Sequence, residues 1–236
     1  MTCTTMVLPD AGADGAIDFT RERQAMMGEI RDTVRDTSAY TGKNTLDPRV
    51  MEVMAQVPRH RFIPKSLWRQ AYENRPLPIG AGQTISQPYI VALMTDLARI
   101  DRNSRVLEVG TGSGYQAAVL AELAGQVYTI EIIEALGLKA KQTLHQLGYR
   151  NIEVRIGDGY NGWPEHAPFD AILVTAAPEQ IPRPLIEQLR PGGRMVIPVG
   201  EAYRTQLLKV LEKDASGALH EKDVLPVGFV PLTGEH

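Results

Sequence analysis

Residues 104–131 read SRVLEVGTGSGYQAAVLAELAGQVYTIE, and this stretch decides the fold. Arg105–Val109 (RVLEV) is a short apolar run, the pattern of a buried strand. It leads straight into Gly110-Thr111-Gly112-Ser113-Gly114, and a helix is expected over residues 115–123. Gln126–Glu131 (QVYTIE) is a second strand. Glycines at alternate positions allow backbone shapes and close ligand approach that a Cβ would block. Such a turn is informative here because it follows a strand and opens a helix.

The same rhythm continues in both directions. Downstream, the pattern predicts a helix over 134–147, a strand at Ile152–Ile156 and a nearly continuous apolar strand over 169–175. A short helix over 184–189, a Pro191-Gly192-Gly193 turn and a strand over 194–199 follow. Residues 205–212 and 227–232 read as two antiparallel strands joined by a polar segment over 213–223. Upstream, Phe19, Met26 and Ile30 share one helical face. Asp47 and Pro48 open a second helix carrying Val50, Val53, Met54 and Val57. Residues 1–17 read as a flexible extension and residues 36–44 as a loop. Alternating strands and helices imply a doubly wound, mostly parallel α/β sheet with N-terminal helices and a C-terminal antiparallel edge. A single domain is expected over 18–236, with helices and a substrate loop over 18–103 and the sheet over 104–236. Ligands of such sheets sit outside the carboxyl ends of the strands.

Composition excludes several classes. A chain of 236 residues with 43% apolar and 22% charged residues can bury a core without staples. The net charge of −3 gives no global field for nucleic acid or an anionic membrane. Cys3 is the only cysteine, and five histidines show no ligand spacing, so neither a disulfide framework nor a metal site is expected. No apolar run reaches the roughly 18 residues of a membrane span, and the first 18 residues do not read as a signal peptide. A cytoplasmic monomer is expected.

Details of the glycine turn separate ligand classes. Tyr115 stands where the dinucleotide pattern G-x-G-x-x-G needs glycine, and Glu108 would meet a pyrophosphate badly. Thr111 breaks the nucleophile elbow that Ser113 would otherwise suggest, because G-x-S-x-G needs glycine there. Glu131 ends its strand 21 residues after Gly110, where an acidic side chain can accept from ribose hydroxyls. Gly157-Asp158-Gly159 follows the third strand and on its own is also ordinary turn chemistry. The pattern E-x-G-x-G-x-G resembles the cofactor loop of S-adenosylmethionine-dependent methyltransferases. That resemblance implies Glu108 near the methionine end of the cofactor, Gly110, Thr111, Gly112 and Ser113 along it, and Asp158 and Gly159 at the adenine.

The segment PIGAGQTISQPYIVA at 78–92 precedes this turn. Read bare, Ser86 is the N-cap of a helix that begins near Gln87-Pro88 and runs through Met94. Read with the rest of the chain, the segment resembles the signature of protein-L-isoaspartate (D-aspartate) O-methyltransferases. Further matches are VPRHRFIP at 57–64, GDGY at 157–160, FDAILVTAAPEQIP at 169–182, RPGGR at 190–194 and FVPLT at 229–233. The departures are the extension, the 36–44 insertion and a tail that stops soon after Thr233.

The resemblance implies methyl transfer from S-adenosyl-L-methionine to the free α-carboxylate of isoaspartyl residues in damaged proteins and peptides. It assigns the active-site role to Ser86, with Thr84, Ile85, Gln87 and Tyr89 beside cofactor and substrate, and brings Thr233 in from the C-terminal strand. The other features have plainer readings. Arg59, His60, Arg61 and Lys65 read first as a solvated basic face, and Trp68 and Trp163 as packing.

Overall fold

A computed structural model describes residues 17–234. The expected extension over 1–17 lies almost wholly outside the described residues. Helix α1 (Thr20–Asp36) buries Met26, Met27, Ile30 and Val34. Residues 36–44 are not the expected loop throughout, since α2 (Ser38–Thr41) adds a helical turn. The Thr41 amide continues the ladder by donating to the Thr37 carbonyl, and Gly42 stops it at φ 71°. Helix α3 (Pro48–Gln56) is capped by Asp47, whose carboxylate accepts from the Arg49 amide, with Pro48 at its first position.

Two 3-10 turns, Arg59–Phe62 and Lys65–Gln70, then lead to a small hairpin of β1 (Leu77–Gly80) and β2 (Gln83–Ile85). Its tip, Gly80, Ala81 and Gly82, has positive φ at all three residues. Helix α4 (Pro88–Ala98) is nearly all buried and extends a turn beyond Met94, ending where Arg99 adopts φ 51°.

The alternating part follows as β3 (Arg105–Val109), α5 (Tyr115–Ala121), β4 (Gln126–Glu131), α6 (Glu134–Gln146), β5 (Ile152–Ile156), β6 (Phe169–Val174), α7 (Arg183–Gln188), β7 (Leu189–Val199), β8 (Gln206–Lys213) and β9 (Leu219–Val227). The seven strands stand in the order β5-β4-β3-β6-β7-β8-β9. Pairs from β5 through β7 are parallel, and β8 and β9 are antiparallel. The order reverses beside β3, so the carboxyl ends of β3, β4 and β6 face one crevice. Val106, Leu107 and Val109 are buried because helices cover both faces of the sheet.

Two strand expectations change. The Pro191-Gly192-Gly193 turn is an irregularity inside β7: Phe169 pairs with Leu189 but Ala171 already with Arg194. The last strand is Leu219–Val227, so half of the expected polar linker is strand. His220, Glu221, Lys222 and Asp223 are exposed along this sheet edge, where Lys209 of β8 pairs with Glu221 and Asp223 across the ladder. An edge strand needs no inward apolar alternation, and charge suits it. Residues 228–233 instead pass beside residues 176–177: the Ala177 amide donates to the Val230 carbonyl and the Leu232 amide to the Ala177 carbonyl. Among the described residues no helix is long and apolar enough to cross a membrane.

Candidate active site

The crevice holds a cavity with about 790 Å³ of open space between its walls. The ends of β3, β4 and β6, the hairpin arm over 83–86 and the segment 230–233 line it. Of the residues singled out from sequence, Thr84, Ile85, Ser86, Glu108, Gly110, Thr111, Gly112, Ser113, Glu131, Gly159 and Thr233 come together on these walls.

The glycine turn packs tightly against the end of β6. Gly110 has φ 99°, and a Cβ there would lie 2.4 Å from Thr175 Oγ1. The Thr175 hydroxyl donates to the Gly110 carbonyl at 2.6 Å, locking the turn to the end of β6. A Cβ on Gly159 would meet Val109 Cγ1 at 2.4 Å, so that wall also admits only glycine.

Two carboxyls face the cavity in different surroundings. Glu131 accepts from the Gly112 amide at 2.7 Å through Oε2 and from the Ile133 amide at 2.9 Å through Oε1. These bonds hold its carboxylate in place while a carboxylate oxygen keeps lone pairs for further donors. Glu108 is fully buried. Thr111 donates to Thr129, whose hydroxyl donates to Glu108 Oε2 at 2.5 Å, while Glu108 Oε1 is buried without a protein partner. Burial pushes this carboxyl up to about 8, against the Thr129 bond and with help from the nearby charge of Glu131. An orphaned buried oxygen on a cavity wall calls for a ligand that donates hydrogen bonds or carries positive charge.

Several expected residues lie elsewhere. Gln87 and Tyr89 do not reach this cavity but line a neighbouring open groove of about 1580 Å³. Each residue after Pro88 turns about 100° around α4, which swings Tyr89 into the N-terminal helices. Its hydroxyl meets Thr37 Oγ1 at 2.6 Å and its amide donates to Asn74. Asp158 is off the wall as well, with its carboxylate accepting from the Tyr160 amide to cap the 3-10 turn Gly159–Asn161. Ser86 is not the cap of α4. That position belongs to Gln87, which makes no side-chain cap bond. Ser86 stands on both cavity and groove, as do Thr84, Thr175 and Val230.

The basic cluster is a solvated face only in part: Lys65 is exposed and Arg61 half-buried. Arg59 and His60 are buried, with His60 Nδ1 against the Tyr72 hydroxyl at 2.9 Å. Trp163 is buried against Tyr128 and His166, as packing requires. Sequence reasoning missed Thr129 and Thr175. Thr129 sits two residues before Glu131, and Thr175 ends the apolar 169–175 run, so strand-end position was the available signal for both.

The protein-L-isoaspartate(D-aspartate) O-methyltransferase family matches this chain over residues 38–236. The chain belongs to that family. Protein-L-isoaspartate O-methyltransferase 2 of Polaromonas sp. is 65% identical over 210 residues, covering 89% of this chain and 100% of that one. A relative of the same name from Syntrophobacter fumaroxidans is 60% identical over 227 residues, covering 95% and 92%. A solved protein-L-isoaspartate O-methyltransferase superposes with a TM-score of 0.77 at 28% identity, over 90% of this chain and 66% of that chain. The isoaspartate methyltransferase family thus accounts for the parallel sheet with its antiparallel β8 and β9, and its matched region contains every wall of the cavity.

Proposed function

We infer that this protein uses S-adenosyl-L-methionine to methylate the α-carboxylate of isoaspartyl residues in damaged proteins and peptides. What carries the reading is Ser86, which stands where the strand-end cavity meets the neighbouring groove and lines both. One side suits a small cofactor and the other an extended peptide.

The cavity fits this cofactor on its own chemistry. The glycine turn lines the cavity with backbone and no side chain at 110 and 112, Glu108 offers an orphaned oxygen to a cation, and Glu131 presents a fixed carboxylate to vicinal hydroxyls. When bound, S-adenosyl-L-methionine would supply a methyl carbon on a cationic sulfonium, with a neutral thioether as the leaving group for transfer to a carboxylate oxygen. The chain's residues then have a modest task. A substrate carboxylate is ionised at pH 7, its ordinary pKa lying at about 3.3–4, so no general base is needed. The protein must hold oxygen, carbon and sulfur in line, which is catalysis by positioning. The Ser86 hydroxyl donates to the substrate carboxylate and orients it. The loop over 80–86 rejects a normal aspartyl residue by shape, since both carboxylates carry equal charge.

The enzyme acts as a cytoplasmic monomer in this reading. Two peptides identical except for Asp or isoAsp, offered with radiolabelled cofactor, test it. Label should enter the isoaspartyl peptide and very little the other. Equal labelling would make this a general carboxylate methyltransferase.

A further inference from the structure

Arg59 is a buried cation that the methyl-transfer reading leaves without a task. It opens the 3-10 turn Arg59–Phe62 and is 0% exposed. Among the described residues no carboxylate pairs with it, and its bonds run to carbonyls. Nε donates to Ala71 O at 2.9 Å and Nη2 to Ser86 O at 2.8 Å, with Arg75 O at 3.5 Å. Its guanidinium carbon lies 4.9 Å from the centroid of the Tyr115 ring, the first residue of α5 after the glycine turn. Burial lowers Arg59 to about 10, which leaves it charged at neutral pH. A buried charge without a counter-ion is expensive, and an apolar side chain of similar volume would pack at lower cost.

We propose that Arg59 is a positioning residue that fixes the Ser86 peptide group, and through it the Ser86 hydroxyl, against the glycine turn. The proposal rests on the reading of Ser86 given above. Ser86 follows Ile85, the last residue of β2, and precedes Gln87, which has ψ 134° and no side-chain cap bond. The α4 ladder begins one residue later, with the Val91 amide donating to the Gln87 carbonyl. The Ser86 carbonyl therefore belongs neither to hairpin nor to helix, and the charge-assisted bond from Arg59 takes their place. The same guanidinium lies over the Tyr115 ring, so one cation links the Ser86 peptide to the helix that follows the glycine turn. A shift of about 1 Å in such a centre costs on the order of a hundredfold in rate.

A plain staple between residues 59 and 86 would lower stability and leave turnover per folded molecule alone. The full chain is therefore assayed as Arg59→Lys and Arg59→Met, alone and combined with Ser86→Ala, with active molecules counted by calorimetric cofactor titration. The expected result is a kcat lowered about tenfold in Arg59→Lys and further in Arg59→Met, with cofactor Kd within about twofold of the parent. In the Ser86→Ala background, Arg59→Lys should change kcat by less than about twofold, because the group it positions is gone. Equal fold losses in both backgrounds, or a lowered melting temperature with parental kcat, would overturn the proposal. Parental kcat in Ser86→Ala alone would instead overturn the reading of Ser86. Should Arg59→Lys fail to fold, Tyr115→Leu removes the ring beneath the guanidinium, and the same cycle applies with the same two outcomes.

Discussion

On the sheet side of the cavity, Glu108, Thr111, Thr129 and Glu131 bond to one another or to neighbouring amides, whereas on the side formed by residues 77–89 Ser86 is held through its main-chain carbonyl. The sheet wall is finished by its own strand ends, which fix its acceptors by bonds within the protein. The other wall is an irregular arm between hairpin and helix whose geometry comes from a residue 27 positions earlier. Preorganised acceptors suit the binding of one fixed cofactor, and an arm pinned from behind suits a varied peptide. The two walls should then fail differently: damage to the sheet wall should appear in cofactor affinity, and damage to the arm in turnover.

The largest expected effect is on the arm. Ser86→Ala should lower kcat by about ten- to a thousandfold, the range for one well-placed hydrogen bond to a transition state. Cofactor Kd should stay near the parent value. Because Gln87 and not Ser86 is the cap residue, the melting temperature should barely move. Loss of cofactor binding in that variant would break the division between walls.

On the sheet wall, Glu131→Ala should weaken cofactor binding by about 1.5–3 kcal/mol, the scale of hydrogen bonds to a charged group. Glu131→Gln keeps one acceptor oxygen and should lose less. Calorimetry finding unchanged affinity in both would remove Glu131 from the site.

Glu108 gives an effect of about one kilocalorie per pH unit. Below the ordinary carboxylate range both folded and unfolded chains hold its proton, and above about 8 neither does. Between those limits the ligand-free fold keeps a proton that the unfolded chain has released. Stability from this group therefore falls as pH rises, by at most about 1.4 kcal/mol per unit. Urea unfolding of parent and Glu108→Gln from pH 5 to 8 should show a flatter dependence in the variant. Superimposable profiles would place the carboxyl back in its ordinary range.

The smallest effect sharpens the boundary between the walls. Tyr89→Phe removes the hydroxyl that meets Thr37, which should cost about 0.5–1.5 kcal/mol of stability with cofactor Kd unchanged. A weakened Kd would return Tyr89 to the cofactor cavity.

Much of the sheet wall was legible because strand-and-turn periodicity places residues by backbone geometry. Once Arg105–Val109 and Gln126–Glu131 are strands, Glu108 and Glu131 must fall at adjoining strand ends. The arm was less legible. Tyr89 is three residues from Ser86 in sequence, yet the helix that starts at Pro88 turns it away. Arg59 and His60 read as solvated because charge usually is, and nothing local announces that carbonyls 12 and 27 residues further on will receive the guanidinium. The strand Leu219–Val227 was missed except at Val227 for a related reason: polar residues at an edge look like a linker until the partner strand is known.

That edge has a further meaning for a protein that handles ageing chains. Partly unfolded substrates carry unpaired strands seeking a ladder to join, and a bare sheet margin would recruit them into mixed aggregates. The margin at β9 is coated by His220, Glu221, Lys222 and Asp223, while at β5 Glu153 and Arg155 face outward beside His166 and Glu165. Strands that add to such a margin would strip water from these charges, so both ends of the sheet repel the stray segments among which the enzyme works.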